Sequence, residues 1–254
     1  MTDPGPGLAG RHVLVTGASR GLGRGIAERV ASLGATVTLA ARDRDALERA
    51  RDAIETAGGA ARVAVLDATE PERVAELVAE AEAAAPLWGC VHSVGGNLTG
   101  DSLEYRQEDF DRLLALNVST TFSVLREVAR RLVSRPEGGR LVAIGSQMGS
   151  VGYPGRAAYC AAKHAVDGLV KALAVEWAPR RVTVNSVAPT FVETDLTREM
   201  LSEPGFRSEV LGRIPAGRLG EIDDVAVAAA FLLGPEAGLI TGIVLPVDGG
   251  WTAW

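Results

Sequence analysis

The sequence predicts one α/β domain, a doubly wound parallel sheet of about seven strands with helices on both faces, Rossmann-like in architecture. Three observations carry this. Short apolar runs alternate with amphipathic helical stretches along nearly the whole chain, the βα repeat of a parallel sheet covered on both faces. The first run leads through a glycine turn, Thr16-Gly17-Ala18-Ser19-Arg20-Gly21-Leu22-Gly23, into the helical pattern Ile26, Ala27, Val30, Leu33. The length of 254 residues suits a single extended sheet, and no linker interrupts it.

Taken in order, strands are expected at Val13 to Val15, Thr36 to Ala40, Val63 to Leu66, Cys90 to Val94, Leu141 to Ile144, Val182 to Val187 and Ile243 to Val247. Parallel neighbours need right-handed crossovers, which the intervening helices supply. Residues 1–10 are rich in Pro and Gly and read as a loose tail before a single domain over 11–254. Residues 193–217 mix Glu, Pro and Gly with helical fragments and read as a substrate lid, a kind of segment that is often mobile. Ligands of such a sheet sit beyond the carboxyl ends of its strands, where Gly17, Gly95, Ser146 and Pro189 fall.

Composition narrows the function classes. A net charge of −6 with scattered arginines offers no basic stripe, so nucleic acid is not an expected partner. No run approaches the roughly 18 apolar residues of a membrane span, and no signal-peptide pattern is present, so a soluble, cytoplasmic protein is expected. Cys90 and Cys160 are too few for a disulfide framework and lack metal-ligand company, so no metal is expected.

The glycine turn has the order a dinucleotide site needs. Gly17 allows the tight turn, Gly21 lets backbone approach a pyrophosphate, and Gly23 lets helix pack against strand. Ser19, Arg20 and Leu22 lie between them at the positive helix end. Further along, Tyr159 and Lys163 stand at i and i+4, with Ser146 thirteen positions before the tyrosine. On a helix such a pair shares one face, about 6 Å apart at Cβ. A cation that close can lower a phenol's pKa by roughly one to three units, toward use as a general acid or base. Ser146, at a strand end, would donate a hydrogen bond to the same substrate oxygen. Lys163 and Lys171 are the only lysines, so an ammonium at 163 is not background.

Together these motifs resemble the short-chain dehydrogenase/reductase family over nearly the whole length. The Thr-Gly-x-x-x-Gly-x-Gly turn, Asn117 in Leu116-Asn117-Val118, and Ser146 with Tyr159-x-x-x-Lys163 occur in the family's order. So do Val184-Asn185-Ser186-Val187-Ala188-Pro189 with Thr194, and Val247-Asp248-Gly249-Gly250. The resemblance implies Tyr159 as catalytic acid/base, Ser146 as the residue orienting the substrate oxygen, and Lys163 as a ligand of the nicotinamide ribose that lowers the tyrosine pKa. Asn117 would hold, through its backbone carbonyl, a water linking Lys163 to solvent. Expected cofactor contacts extend to Asp67 against the adenine, Ala68, Gly95, Pro189, Val192 and Thr194.

The chain departs from the family at two places. His92-Ser93-Val94-Gly95 replaces Asn-Asn-Ala-Gly, so His92 is expected to bear on stability rather than chemistry. Thr190 replaces a glycine beside the nicotinamide pocket and would narrow the substrate site. At the end of the second strand stands Ala41, not the acid that binds both ribose hydroxyls in an NAD site, with Arg42 next to it. Arg42 and Arg20 can grip a 2′-phosphate, which favours NADP(H) over NAD(H). Asp43, one residue on, is the opposing feature.

The expected activity is therefore hydride transfer between NADP(H) and a carbonyl or secondary alcohol, by a ketoreductase of 3-oxoacyl or sugar/polyol type. The alternative is a non-catalytic dinucleotide-binding regulator or scaffold of the same fold. The expected substrate wall comprises Gly96, Asn97, Gln147, Met148, Tyr153, Thr190 and Phe191, with Met200 and Phe206 from the lid. Family members are commonly tetramers, and Phe231, Leu232 and Leu233 with Ile243 to Val247 are expected at an isologous interface. Trp251 and Trp254 are also expected to be buried, at a subunit interface or, alternatively, against their own subunit.

Overall fold

The computed structural model describes residues 7–195 and 197–253. Seven parallel strands lie in the order β3-β2-β1-β4-β5-β6-β7. They are β1 His12–Thr16, β2 Thr36–Ala41, β3 Ala60–Val65, β4 Leu87–His92, β5 Gly139–Ile144, β6 Val182–Pro189 and β7 Val244–Val247. The chain runs outward from β1 to β3, then returns to the other side of β1 with β4. That reversal opens a crevice at the carboxyl ends of β1 and β4.

The pleat sends alternate side chains to opposite faces. Val13 and Val15 join the core beneath α1 (Gly21–Ser32), α2 (Arg44–Thr56) and α9 (Ile222–Leu233). Leu14 and Cys90 join the core beneath α3 (Pro71–Ala84), α5 (Thr120–Leu132) and α6 (Ala157–Trp177). Both layers are apolar, and so the strands read as unbroken hydrophobic runs. A third, smaller cluster gathers Met148, Phe191, Leu201, Val210, Ile214 and Trp251 beneath α7 (Arg198–Leu201) and α8 (Pro204–Gly212).

Two buried histidines tie the sheet together, and their partners fix their tautomers. His12 donates from Nδ1 to the Ala85 carbonyl at 2.8 Å and accepts at Nε2 from the Thr38 hydroxyl at 2.8 Å. Thr120 gives its hydroxyl hydrogen to the Leu116 carbonyl, so His92 donates from Nε2 to Thr120 Oγ1 at 3.1 Å and accepts at Nδ1 from Thr16 at 2.8 Å. Burial, with the Lys163 charge, pushes the His92 imidazole down to about 3. It is a neutral brace between β1, β4 and α5, as the structural reading of the sequence expected.

Several expectations are corrected. The third strand starts three residues earlier than its apolar run, and the fourth ends at His92 rather than Val94. Leu8, placed in a loose tail, is fully buried, and Gly10 donates its N–H to the Gly34 carbonyl. Leu232 and Leu233 are fully buried in their own subunit, leaving Phe231 of that trio partly exposed. Trp251 is 7% exposed and packs on its own chain against Tyr153 and Phe191, because the Asp248 carboxylate holds the turn through the Gly250 and Thr252 N–H groups. Trp254 lies outside the described residues.

Candidate active site

A cleft of about 1330 Å³ runs along the carboxyl ends of the strands. Gly17 has a left-handed φ of 71°, and a Cβ there would stand 2.7 Å from the Ser93 carbonyl oxygen, so only glycine fits this turn. Ser19, Arg20, Gly21, Leu22 and Gly23 follow it along the cleft wall, where α1 begins with Arg20 as its N-cap. No acidic residue occupies the helix's first turn, and its free N–H groups face the cleft with their partial positive charge.

Arg42, Asp67 and Ala68 line the same end. Asp43 is committed as the N-cap of α2, accepting from the Ala46 N–H at 3.0 Å. Arg20 and Arg42 have no carboxylate partner among the described residues, whereas Arg24, also on the wall, pairs with Glu28. Arg24 and Arg49, which the sequence reading did not single out, add to this basic end.

Asn117 sits in a π-helical turn, Ala115–Ser119, between α4 (Gln107–Leu114) and α5. Its Nδ2 donates to the Gly96 and Leu113 carbonyls at 3.1 and 3.0 Å, which fixes the amide's orientation. Oδ1 is thereby left buried and unpartnered, and a Cβ on Gly95 would lie 2.8 Å from it and 3.6 Å from Lys163 Nζ. The backbone carbonyl expected to hold a water already accepts from the Thr121 hydroxyl at 2.6 Å, which leaves one lone pair.

Ser146 ends the loop after β5 and caps the short turn Gln147–Gly149, accepting from the Met148 N–H at 3.2 Å. Tyr159 and Lys163 project from α6 into the same cleft. Burial raises the Tyr159 phenol above its usual value, opposed by a hydrogen bond with Ser146 and by the Arg156 charge. The Lys163 Nζ lies 5.6 Å from the ring centroid and donates to the Ile144 carbonyl at 3.0 Å. Burial brings the Lys163 amine itself down to about 8, with Asp167, one turn on, pulling the other way.

Pro189, Thr190, Phe191, Val192 and Thr194 line the cleft at and beyond the end of β6, and Asn97, Gln147 and Met148 line it too. Two of the expected residues, Tyr153 and Phe206, are not in the cleft wall but behind it. Tyr153 packs against Phe191 and Trp251 at 6.0 Å each, its hydroxyl donating to Glu209 at 3.0 Å, and Phe206 packs edge-on against Phe191 at 5.7 Å. The segment expected as a lid carries α7 and α8, and Thr194, Thr197, Glu199 and Met200 bring it to the rim.

The basic helix end, the glycine cradle and the orphaned Asn117 Oδ1 and Thr190 Oγ1 are what a bound dinucleotide would meet, and the residues present fit one. Among the described residues no group of three His, Cys, Asp or Glu side chains could hold a metal ion, and no helix is long and apolar enough to cross a membrane. Fold and site together define a dinucleotide-binding oxidoreductase with a Ser, Tyr and Lys constellation at the sheet's switch point.

Known proteins agree with that class. Residues 17–252 match the family described as enoyl-(acyl carrier protein) reductase. The chain is 40% identical over 249 residues to the L-tagatose-forming galactitol 2-dehydrogenase of Cereibacter sphaeroides, covering 97% of each. It is 38% identical to a 3-oxoacyl-[acyl-carrier-protein] reductase of Vibrio cholerae, over 96% of this chain and 98% of that protein. The crystal structure of a gluconate 5-dehydrogenase from Burkholderia cenocepacia, in complex with NADP and tartrate, superposes with a TM-score of 0.93 at 31% identity, covering 97% of each chain. The chain belongs to the short-chain dehydrogenase/reductase family.

Proposed function

We propose that the protein is an NADP(H)-dependent oxidoreductase that interconverts a carbonyl and a secondary alcohol, a ketoreductase acting on a 3-oxoacyl or sugar/polyol type of substrate. The observation that carries this reading is the convergence of Ser146, Tyr159 and Lys163 on one cleft with a glycine cradle at its other end. The nicotinamide, when bound, supplies or accepts the hydride. Tyr159 gives the proton to the carbonyl oxygen during reduction and takes it back from the alcohol during oxidation. The Ser146 hydroxyl holds that oxygen, and Lys163 binds the ribose hydroxyls beside Asn117. Arg20 and Arg42 hold a 2′-phosphate, with Asp67 and Ala68 against the adenine, and Gly95, Pro189, Val192 and Thr194 shape the nicotinamide end.

We assign the protein to the cytoplasm, where reduced nicotinamide is made and where the unpaired Cys90 and Cys160 remain thiols. Assembly as a homotetramer is supported by apolar surface left on α9, where Val227 and Phe231 are each 44% exposed one turn apart. Segment 193–217 acts as the lid. Loss of NADPH absorbance with a panel of ketones tests the reaction. The non-catalytic alternative predicts cofactor binding with no turnover on any of them.

A further inference from the structure

Arg156 stands at the N-cap of α6, three residues before Tyr159, and its side chain is 4% exposed on the cleft wall. A guanidinium has five N–H donors and keeps its charge at any pH a protein tolerates. Among the described residues, the one side-chain hydrogen bond that Arg156 makes goes to the Met200 sulfur at 2.6 Å, a weak acceptor, and no carboxylate is in ion-pair reach. The ionisable groups nearest it are the Tyr159, Tyr153 and Tyr105 phenols and the Cys160 thiol, with no carboxylate among them. The other deeply buried arginine, Arg140, is satisfied by four backbone carbonyls, those of Gly139, Arg181, Gly234 and Pro235. Arg135, mostly buried, is paired with Glu82. A buried charge without a counter-charge is costly, so an ion that reaches Arg156 through the cleft is held strongly.

A second polar group beside it is equally unspent. Gln147 is 2% exposed and lines the same cleft next to Ser146, and neither its Nε2 nor its Oε1 has a partner. A buried cation and a free amide therefore line the same cleft as the hydroxyls of Tyr159 and Ser146. An acyl thioester with an alkyl chain, or a neutral polyol, would leave the guanidinium unpaired.

We propose that Arg156 anchors the carboxylate of the substrate, which makes that substrate a short hydroxy- or oxo-carboxylic acid whose polar chain hydrogen-bonds Gln147. A planar guanidinium matches a carboxylate with two parallel hydrogen bonds. Arg156 and Tyr159 lie one helical turn apart, about 6 Å at Cβ, so a few carbons separate the carboxylate from the reacting carbon. The proposal rests on the oxidoreductase reading and adds to it the charge of the substrate.

The test compares matched probes on the full-length enzyme. Reduction of acetoacetate and levulinate with NADPH is measured against their methyl esters, and oxidation of gluconate with NADP against sorbitol. Dihydroxyacetone phosphate against dihydroxyacetone separates carboxylate from phosphate. Turnover of neither these probes nor a 3-oxoacyl thioester defeats the oxidoreductase reading itself, whereas turnover of the thioester alone overturns the anchor. Turnover that favours the uncharged partners, or the phosphate over every carboxylate, overturns the anchor alone. The expected result is preference for the acids, with Arg156→Gln lowering kcat/KM for an acid about a hundredfold more than for its uncharged partner, the scale of a lost buried charge pair. Arg156→Lys should restore part of that difference. An equal loss on acid and ester would mark Arg156 as structural and overturn the proposal, provided circular dichroism shows the variant folded.

Discussion

Lys163 donates to the Ile144 carbonyl at 3.0 Å, which tethers the buried amine to the end of β5 while its pKa falls to about 8. A strong positive charge at this position therefore exists below that value and fades above it. NADPH affinity should weaken as pH rises from about 8 toward 10, with a midpoint at or above 8 because an anionic ligand stabilises the ammonium. Fluorescence titration across that range checks this. The same titration of Lys163→Met should be flatter and weaker throughout.

Tyr159→Phe keeps the ring and removes the proton. Turnover should fall at least about a hundredfold, the low end for acid–base catalysis, with NADPH binding largely kept. Because burial holds the phenol above its usual pKa, ketone reduction, which needs the protonated form, should stay level through neutral pH and fail only at high pH. Alcohol oxidation, which needs the phenolate, should rise with pH. Steady-state rates in both directions settle these signs.

Arg20 and Arg42 are exposed, so solvent screens them and each hydrogen bond to a 2′-phosphate contributes at the low end of its range. Changing both to Ala should cost roughly 2 kcal/mol or more of NADPH preference, about thirtyfold, and spare NADH. The ratio of kcat/KM for the two cofactors is the readout. A wild-type enzyme that prefers NADH would show the arginines misassigned.

His92 binds its proton far less readily folded, at about 3, than unfolded, at 6.5. Between those values the unfolded chain holds the extra proton, so stability falls as pH drops from 6.5 toward 3. The loss approaches several kcal/mol over the full interval. His92→Gln keeps an amide between Thr16 and Thr120 but cannot titrate, and its melting temperature should depend less steeply on pH from 4 to 7.

Trp251 fills space shared with Tyr153 and Phe191, with rings 5.7 to 6.0 Å apart. Trp251→Ala should cost about 3 to 5 kcal/mol, as for other large buried aromatics. The mass by light scattering should not change. Dissociation without loss of stability would return this residue to the subunit interface that the sequence suggested.

What the sequence disclosed follows from where the information lies. β1 and its glycine turn were legible because apolar burial and backbone geometry leave their mark on adjacent residues. The ends of β3 and β4 were not: Ala60 and Ala61 carry little apolar signal, and Leu87 to Gly89 hide behind a proline. The cleft residues came through almost whole, except Tyr153 and Phe206, which pack behind the wall against Phe191 through contacts between distant parts of the chain. Arg156 was invisible for a different reason. An unpaired arginine looks like any other in an arginine-rich sequence, and only its burial distinguishes it.

The π-turn at Asn117 carries one residue more per turn than the helices on either side of it. Each residue advances an α-helix by about 100°, so the extra one lets the faces of α4 and α5 point to different neighbours. It also turns the Asn117 amide toward Gly96 and Lys163. Shortening the chain by one residue here would not trim a loop. It would act as a twist, rotating all of α4 against α5 and carrying Asn117 out of the cleft, so the spacing between the two helices is as much a determinant of the site as the asparagine itself.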